Sequence, residues 1–160
     1  MRGRGPGQWP APDTANASRR VALVSWLALG DTTRFRRALA ALDSSLDAQR
    51  DEADAGEAIV AAEAHLVLMD TAGALARLRT FRDNTWAMTP IIGQIGIGFG
   101  QVGMLWPRTF LLLGDLAAAS GSRAEAAQGY RRFIGMWDGG DAETQPLVQR
   151  ARAALASLGP

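Results

Sequence analysis

A chain of 160 residues and 17.0 kDa suits one domain with a real hydrophobic core. It has thirty Ala and no Lys, so all seventeen basic side chains are Arg; against sixteen Asp and Glu they leave a formal charge of +1, which argues against nucleic-acid binding by bulk charge. The absence of Cys excludes disulfides, thiolate metal sites and cysteine nucleophiles, and the single His (His65) removes most metal and triad chemistry.

Residues 1–17 are rich in Gly and Pro without a periodic apolar face, and read as a disordered leader or a truncated start. Ser18-Arg19-Arg20 followed by VALVSWLALG has the outline of a twin-arginine signal. Its apolar run is short, contains Trp26 and ends at Gly30-Asp31 without a small-x-small site, so an ordinary first helix is the expectation. Val21, Leu23, Val24, Leu27 and Ala28 recur at helical spacing, and Gly30 then stops the helix. Asp31 or Thr32 can cap a second one, whose apolar face is Phe35, Ala38, Leu39, Leu42 and Leu46.

After an acidic connector at 47–57, Ile59, Ala62, His65, Leu66 and Met69 form a third stripe. Asp70-Thr71 is a turn and cap, and Ala74, Leu75, Leu78 and Phe81 form a fourth. The uncharged run from Asn84 to Pro107 is long enough to cross a bilayer but broken by Gly, Gln and Pro, so the chain is expected to be soluble, cytoplasmic and without a membrane partner. Residues 88–105 are expected to be a Gly-rich insertion. A fifth helix is expected from Phe110, Leu113, Leu116 and Ala117 up to Ser120-Gly121-Ser122, and a sixth through Ala126, Ala127, Tyr130, Phe133, Ile134 and Trp137. Gly139-Gly140-Asp141 interrupts the chain before a terminal helix over 143–158. No segment alternates with period two, so the fold class is all-α.

Short turns between these helices predict antiparallel pairs at about 18–47, 55–83 and 107–138. The unit from Arg108 to Trp137 carries the clearest pattern: Leu113-Gly114, the Gly121 turn, Ala126, Tyr130 and Phe133. Gly114 and Ala126 are small where two helix axes must approach, and Gly121 permits the turn. Met69, Ala74, Leu78 and Phe81 repeat the offsets, as do Gly30, Phe35, Leu39 and Leu42. This pattern resembles the tetratricopeptide repeat, although the turn points lie wider apart than that repeat's roughly 34 residues. The C-terminal stretch, with Gly114-Asp115-Leu116, Tyr130-Arg131-Arg132-Phe133, Trp137 and Pro146, is similar to the repeat-and-cap region of large bacterial signalling proteins, in which such arrays follow a serine/threonine kinase or a DNA-binding domain.

The resemblance implies a short α-solenoid of helix–turn–helix pairs over 18–158 with a C-terminal capping helix. It implies a non-catalytic scaffold that binds a protein or peptide along the first helices. Placing the repeat offsets on this chain puts Ile59, Glu63, Arg108, Leu111 and Asp115 on that partner groove. The alternatives are a C-terminal fragment of a larger regulatory protein, or a small-molecule sensor in which the Gly-rich segment covers a Trp-lined pocket.

Catalytic, cofactor and metal sites are not expected. Gly98, Gly100 and Gly103 match G-x-G-x-x-G, but a kinase reading lacks Lys, H-R-D and D-F-G, and a dinucleotide reading lacks strands. His65 has no helical metal-ligand partner and reads as a packed or half-exposed His. Arg34, Arg36, Arg37, Arg77, Arg79, Arg82, Arg131 and Arg132 recur on second helices and read as solvated faces; a basic ridge opposed by Glu63, Asp70 and Asp115 is the alternative. Trp26, Trp86, Trp106 and Trp137 are expected to pack between helices.

Overall fold

The computed structural model describes residues 15–48, 55–95 and 102–159, with side chains described over 21–48, 56–83 and 108–159. Seven helices, and no strand, occur among the described residues: α1 (Ala15–Ala28), α2 (Thr32–Ala48), α3 (Ala55–Val67), α4 (Thr71–Ile95), α5 (Val102–Ala119), α6 (Arg123–Trp137) and α7 (Gln145–Ser157). Each packs against the next in chain order, most closely within α3–α4 and α5–α6, and α1 also touches α3.

Three of the junctions are the same turn. Gly30, Met69 and Gly121 all take left-handed backbone, with φ of 70°, 60° and 81°. In each case the turn residue's N–H donates to the carbonyl three residues back: Leu27, Leu66 and Ala118. The next N–H donates to the carbonyl five residues back: Asp31 to Trp26, Asp70 to His65 and Ser122 to Ala117. This is the Schellman closure, which satisfies the last carbonyls of the first helix. The residue after the turn then starts the second helix. Asp31 accepts from Arg34 N–H and Asp70 from Gly73 N–H, both at 2.9 Å, so two of the three are side-chain N-caps.

Because the turns match, the cores match. Counted forward from the turn, Phe35, Ala74 and Ala126 share one buried position, Leu39, Leu78 and Tyr130 a second, and Leu42, Phe81 and Phe133 a third. Counted back, Leu23, Ala62 and Gly114 share a position at the helix crossing. The middle hairpin closes on alanines: Ala58, Ala61, Ala62 and Ala74 are fully buried or nearly so. The third closes on glycine. A Cβ on Gly114 would meet the Tyr130 ring at 2.7 Å, and one on Gly129 would lie 2.9 Å from Phe110 carbonyl oxygen and Gly114 nitrogen. Gly129, absent from the sequence pattern, is therefore the residue that lets α5 and α6 approach. One apolar cluster runs through all three hairpins and ends on Val148 and Ala151 of α7.

Two expectations need correction. Helix α1 begins at Ala15, inside the segment assigned to a leader. Of the Gly-rich insertion expected over 88–105, the described residues 88–95 and 102–105 are helical, since α4 continues to Ile95 and α5 begins at Val102. Pro90 and Pro107 lie within α4 and α5, each removing one helical N–H donor without ending its helix. The Gly98–Gly100 part of the glycine motif lies outside the described residues. No helix of the described residues is long and apolar enough to cross a membrane.

Candidate functional site

The residues expected to line a groove divide into three kinds. Ile59 and Leu111 occupy equivalent positions on α3 and α5 and are buried in the core. Glu63 and Arg108 stand exposed on α3 and at the start of the described side chains of α5. Asp115 is equivalent to Glu63 but already has partners, accepting from the Tyr130 hydroxyl at 3.0 Å and pairing closely with Arg150 of α7. Burial, reinforced by the hydrogen bond to Asp115, pushes the Tyr130 hydroxyl up to about 12, so it serves as a fixed donor throughout the physiological range.

Between the hairpins lie two ion-pair clusters that the sequence did not announce. At the joint of the first and second, Arg77 of α4 reaches two carboxylates of α2: Asp43 at 2.8 Å and Asp47 at 2.6 Å. His65 of α3 sits in the same joint, its Nε2 3.1 Å from Asp43 and its Nδ1 2.9 Å from Asp70. A neutral imidazole has one N–H, so both contacts are donated hydrogen bonds only in the imidazolium form. Gly73 makes room for this cluster: a Cβ there would fall 2.4 Å from both the His65 ring and the Asp70 carboxylate. The N–H of Gly73, with a smaller effect of His65, holds the Asp70 carboxyl below its ordinary value. His65 is thus a packed histidine that ties α3 to α2 and to the turn before α4, and no cluster of metal-ligand type occurs among the described residues.

At the joint of the second and third hairpins, Glu125 near the start of α6 accepts from Arg79 at 2.7 and 2.9 Å and from Arg82 at 2.7 Å. The Arg79 hydrogen bond, then the charges of both arginines, lower the Glu125 carboxyl from its ordinary 4.5. Beneath this pair, Phe81 and Phe110 meet with ring centroids 5.4 Å apart, and Arg132 lies 5.0 Å from the Phe110 centroid.

The α4 arginines therefore form neither a solvated face nor a ridge opposed by Glu63, Asp70 and Asp115. Their partners are Asp43 and Asp47 for Arg77, Glu125 for Arg79, and both Glu125 and the adjacent Asp83 for Arg82. The alternation was present in the sequence: the second helices run acidic, basic, acidic at the positions that meet.

A cleft of about 330 Å³ opens between the second and third hairpins, lined by Thr71, Leu75, Arg79, Leu116, Ser120 and Ser122. It holds hydroxyls and a guanidinium already engaged by Glu125, with no acid–base or nucleophile pair. Of the tryptophans, Trp26 is partly buried with the Arg34 guanidinium 4.8 Å from its ring centroid, and Trp137 stacks on Phe133 at 6.2 Å. The side chains of Trp86 and Trp106 lie outside the described residues. No family model, no curated protein and no solved structure matches the chain.

Proposed function

We propose that the chain is a non-catalytic helical-repeat module of the tetratricopeptide type, a short α-solenoid with α7 as its cap, that binds a protein or peptide partner in cytoplasmic signalling or regulation. The observation that carries this reading is the threefold use of one left-handed turn with the same buried positions around it. Repeated hairpins that cannot bury their apolar faces alone gain stability by stacking, and the surface they generate is an extended one suited to a chain partner. The polar side chains at the joints are spent on holding neighbours together, which leaves exposed first-helix residues such as Glu63 and Arg108 for recognition.

The test is affinity recovery with the immobilised full chain. The reading expects one stoichiometric partner, lost from a Glu63→Arg, Arg108→Glu double variant whose helical circular dichroism is unchanged. Recovery that ignores both substitutions would overturn the assignment of these two residues. A thermal shift given by nucleotides or small metabolites, with no protein recovered, would favour a sensor over an interaction module.

A further inference from the structure

The cleft between the second and third hairpins has two small side chains on its edge. Measured from the turn residue, Ala119 and Ser120 of its lining stand where Val67 and Leu68 stand in the second hairpin. Leu68 packs against the core, whereas a methyl and a hydroxymethyl group at the equivalent places leave room in a cleft of about 330 Å³. That volume lies at the lower end of small-ligand sites, which run from about 300 to 1,000 Å³. Leu75 and Leu116 give the cleft apolar walls, and apolar surface left to water forgoes burial that a ligand can recover.

The polar part of the lining is one-sided. The Thr71 and Ser122 hydroxyls donate to no acceptor among the described residues; Ser122 stands at the N-cap of α6 without making a cap bond and only accepts from Ser120. Glu125 takes the Nε and Nη2 edge of Arg79, at 2.9 and 2.7 Å, which fixes the guanidinium and leaves the N–H groups of Nη1 for another acceptor. The Arg79 side chain is 43% exposed, and no carboxylate belongs to the described lining, so these donors stand beside apolar walls with nothing to receive them. We propose that the cleft binds a small carboxylic acid with a short alkyl tail: the carboxylate on Arg79 and the Thr71 and Ser122 hydroxyls, the tail on Leu75 and Leu116. A carboxylate accepts from guanidinium and hydroxyl donors without needing to give a proton back. With Glu125 already beside Arg79, a single negative charge suits the site better than a phosphate dianion. The cleft shares no residue with the Glu63 and Arg108 surface, so its failure would leave the interaction-module reading in place.

The probe is hexanoate, titrated calorimetrically into the full chain at low salt. Saturable binding with a Kd below about 1 mM is expected. It should be about tenfold tighter than that of hexanol, which lacks the charge, or of acetate, which lacks the tail. Ala119 is exposed, so Ala119→Leu restores bulk of the kind found at Val67 without entering the core. It should weaken hexanoate by about tenfold while the helical circular dichroism stays unchanged. Ser122→Ala removes a donor that the fold does not use and should weaken hexanoate about threefold, with hexanol unaffected. Absence of hexanoate binding, hexanol that binds as tightly, or hexyl phosphate that binds more tightly would each overturn the proposal. So would variants at Ala119 and Ser122 that bind hexanoate as the parent does.

Discussion

The joint between the first and second hairpins and the joint between the second and third are built from different interactions. The first gathers Asp43, Asp47, His65 and Arg77 from three helices, and Asp70 from the turn between α3 and α4. The second places Glu125, Arg79 and Arg82 above a pair of buried phenylalanines. Charge networks contribute modestly, weaken with salt and fix register; buried aromatic contact contributes more and is indifferent to salt. The two ends of one array should therefore respond to different perturbations, although the hairpins they join close on the same turn.

The largest effect is expected at the aromatic joint. Phe81 is fully buried against Phe110, and Phe81→Ala should cost about 3–5 kcal/mol in urea unfolding and split the transition as the third hairpin uncouples from the first two. A single transition shifted by less than about 1 kcal/mol would mean that the ion pairs alone hold this joint. At the polar joint, Arg77→Ala removes the guanidinium that Asp43 and Asp47 share and should cost about 2 kcal/mol at low salt. That cost should shrink in about 1 M NaCl, where the Phe81→Ala cost stays; a salt-independent Arg77→Ala would erase the distinction.

A smaller effect should appear in acid. The Arg79 hydrogen bond depresses Glu125, so its contribution is fully present above the ordinary carboxyl value of 4.5 and is lost as pH falls through the depressed value. Glu125→Gln should thus be less stable than the parent by about 1 kcal/mol near neutrality, with the gap closing below that value. Thermal melts along a pH series read this directly; a gap constant with pH would exclude the ion pair as its source. The smallest change is a gain. Met69 has a left-handed backbone, φ 60°, where the other two turns use Gly, and its side chain is 85% exposed. Met69→Gly removes the strain of a Cβ in that region, less the extra freedom of Gly when unfolded, for a net of about 0.5–1 kcal/mol in favour of the fold. A destabilised Met69→Gly would show that Met69 is held there by contacts worth more than its strain.

The turns were legible before any coordinates, because a Schellman closure is a local event. Gly30 and Gly121 announced it by residue type, and Met69 by its place ahead of Asp70-Thr71 and the matching offsets. The buried positions after each turn followed from helical periodicity, since which side of a helix is apolar is written in the helix itself. Gly129 was not legible: its role depends on Phe110 and Gly114 of another helix lying 2.9 Å from where its Cβ would be. The extension of α4 to Ile95 escaped notice because Gly, Gln and Pro were weighed as breakers, whereas a helix already nucleated over several turns tolerates them.

Among the expected groove residues, sequence placed Ile59 and Glu63 on one helix but did not say that one is buried and the other exposed, because that depends on how far neighbouring hairpins overlap. The ion-pair partners behave likewise. Asp43 and Arg77, or Arg79 and Glu125, are far apart along the chain, and charge by itself does not select among sixteen acidic residues. By itself, then, the sequence determined the three turns and the buried positions that follow each of them, both set by interactions within a few residues. Tertiary structure alone decided which helices touch, which charges meet and which apolar side chains are left exposed on α1, because those outcomes depend on close packing between segments distant in the chain.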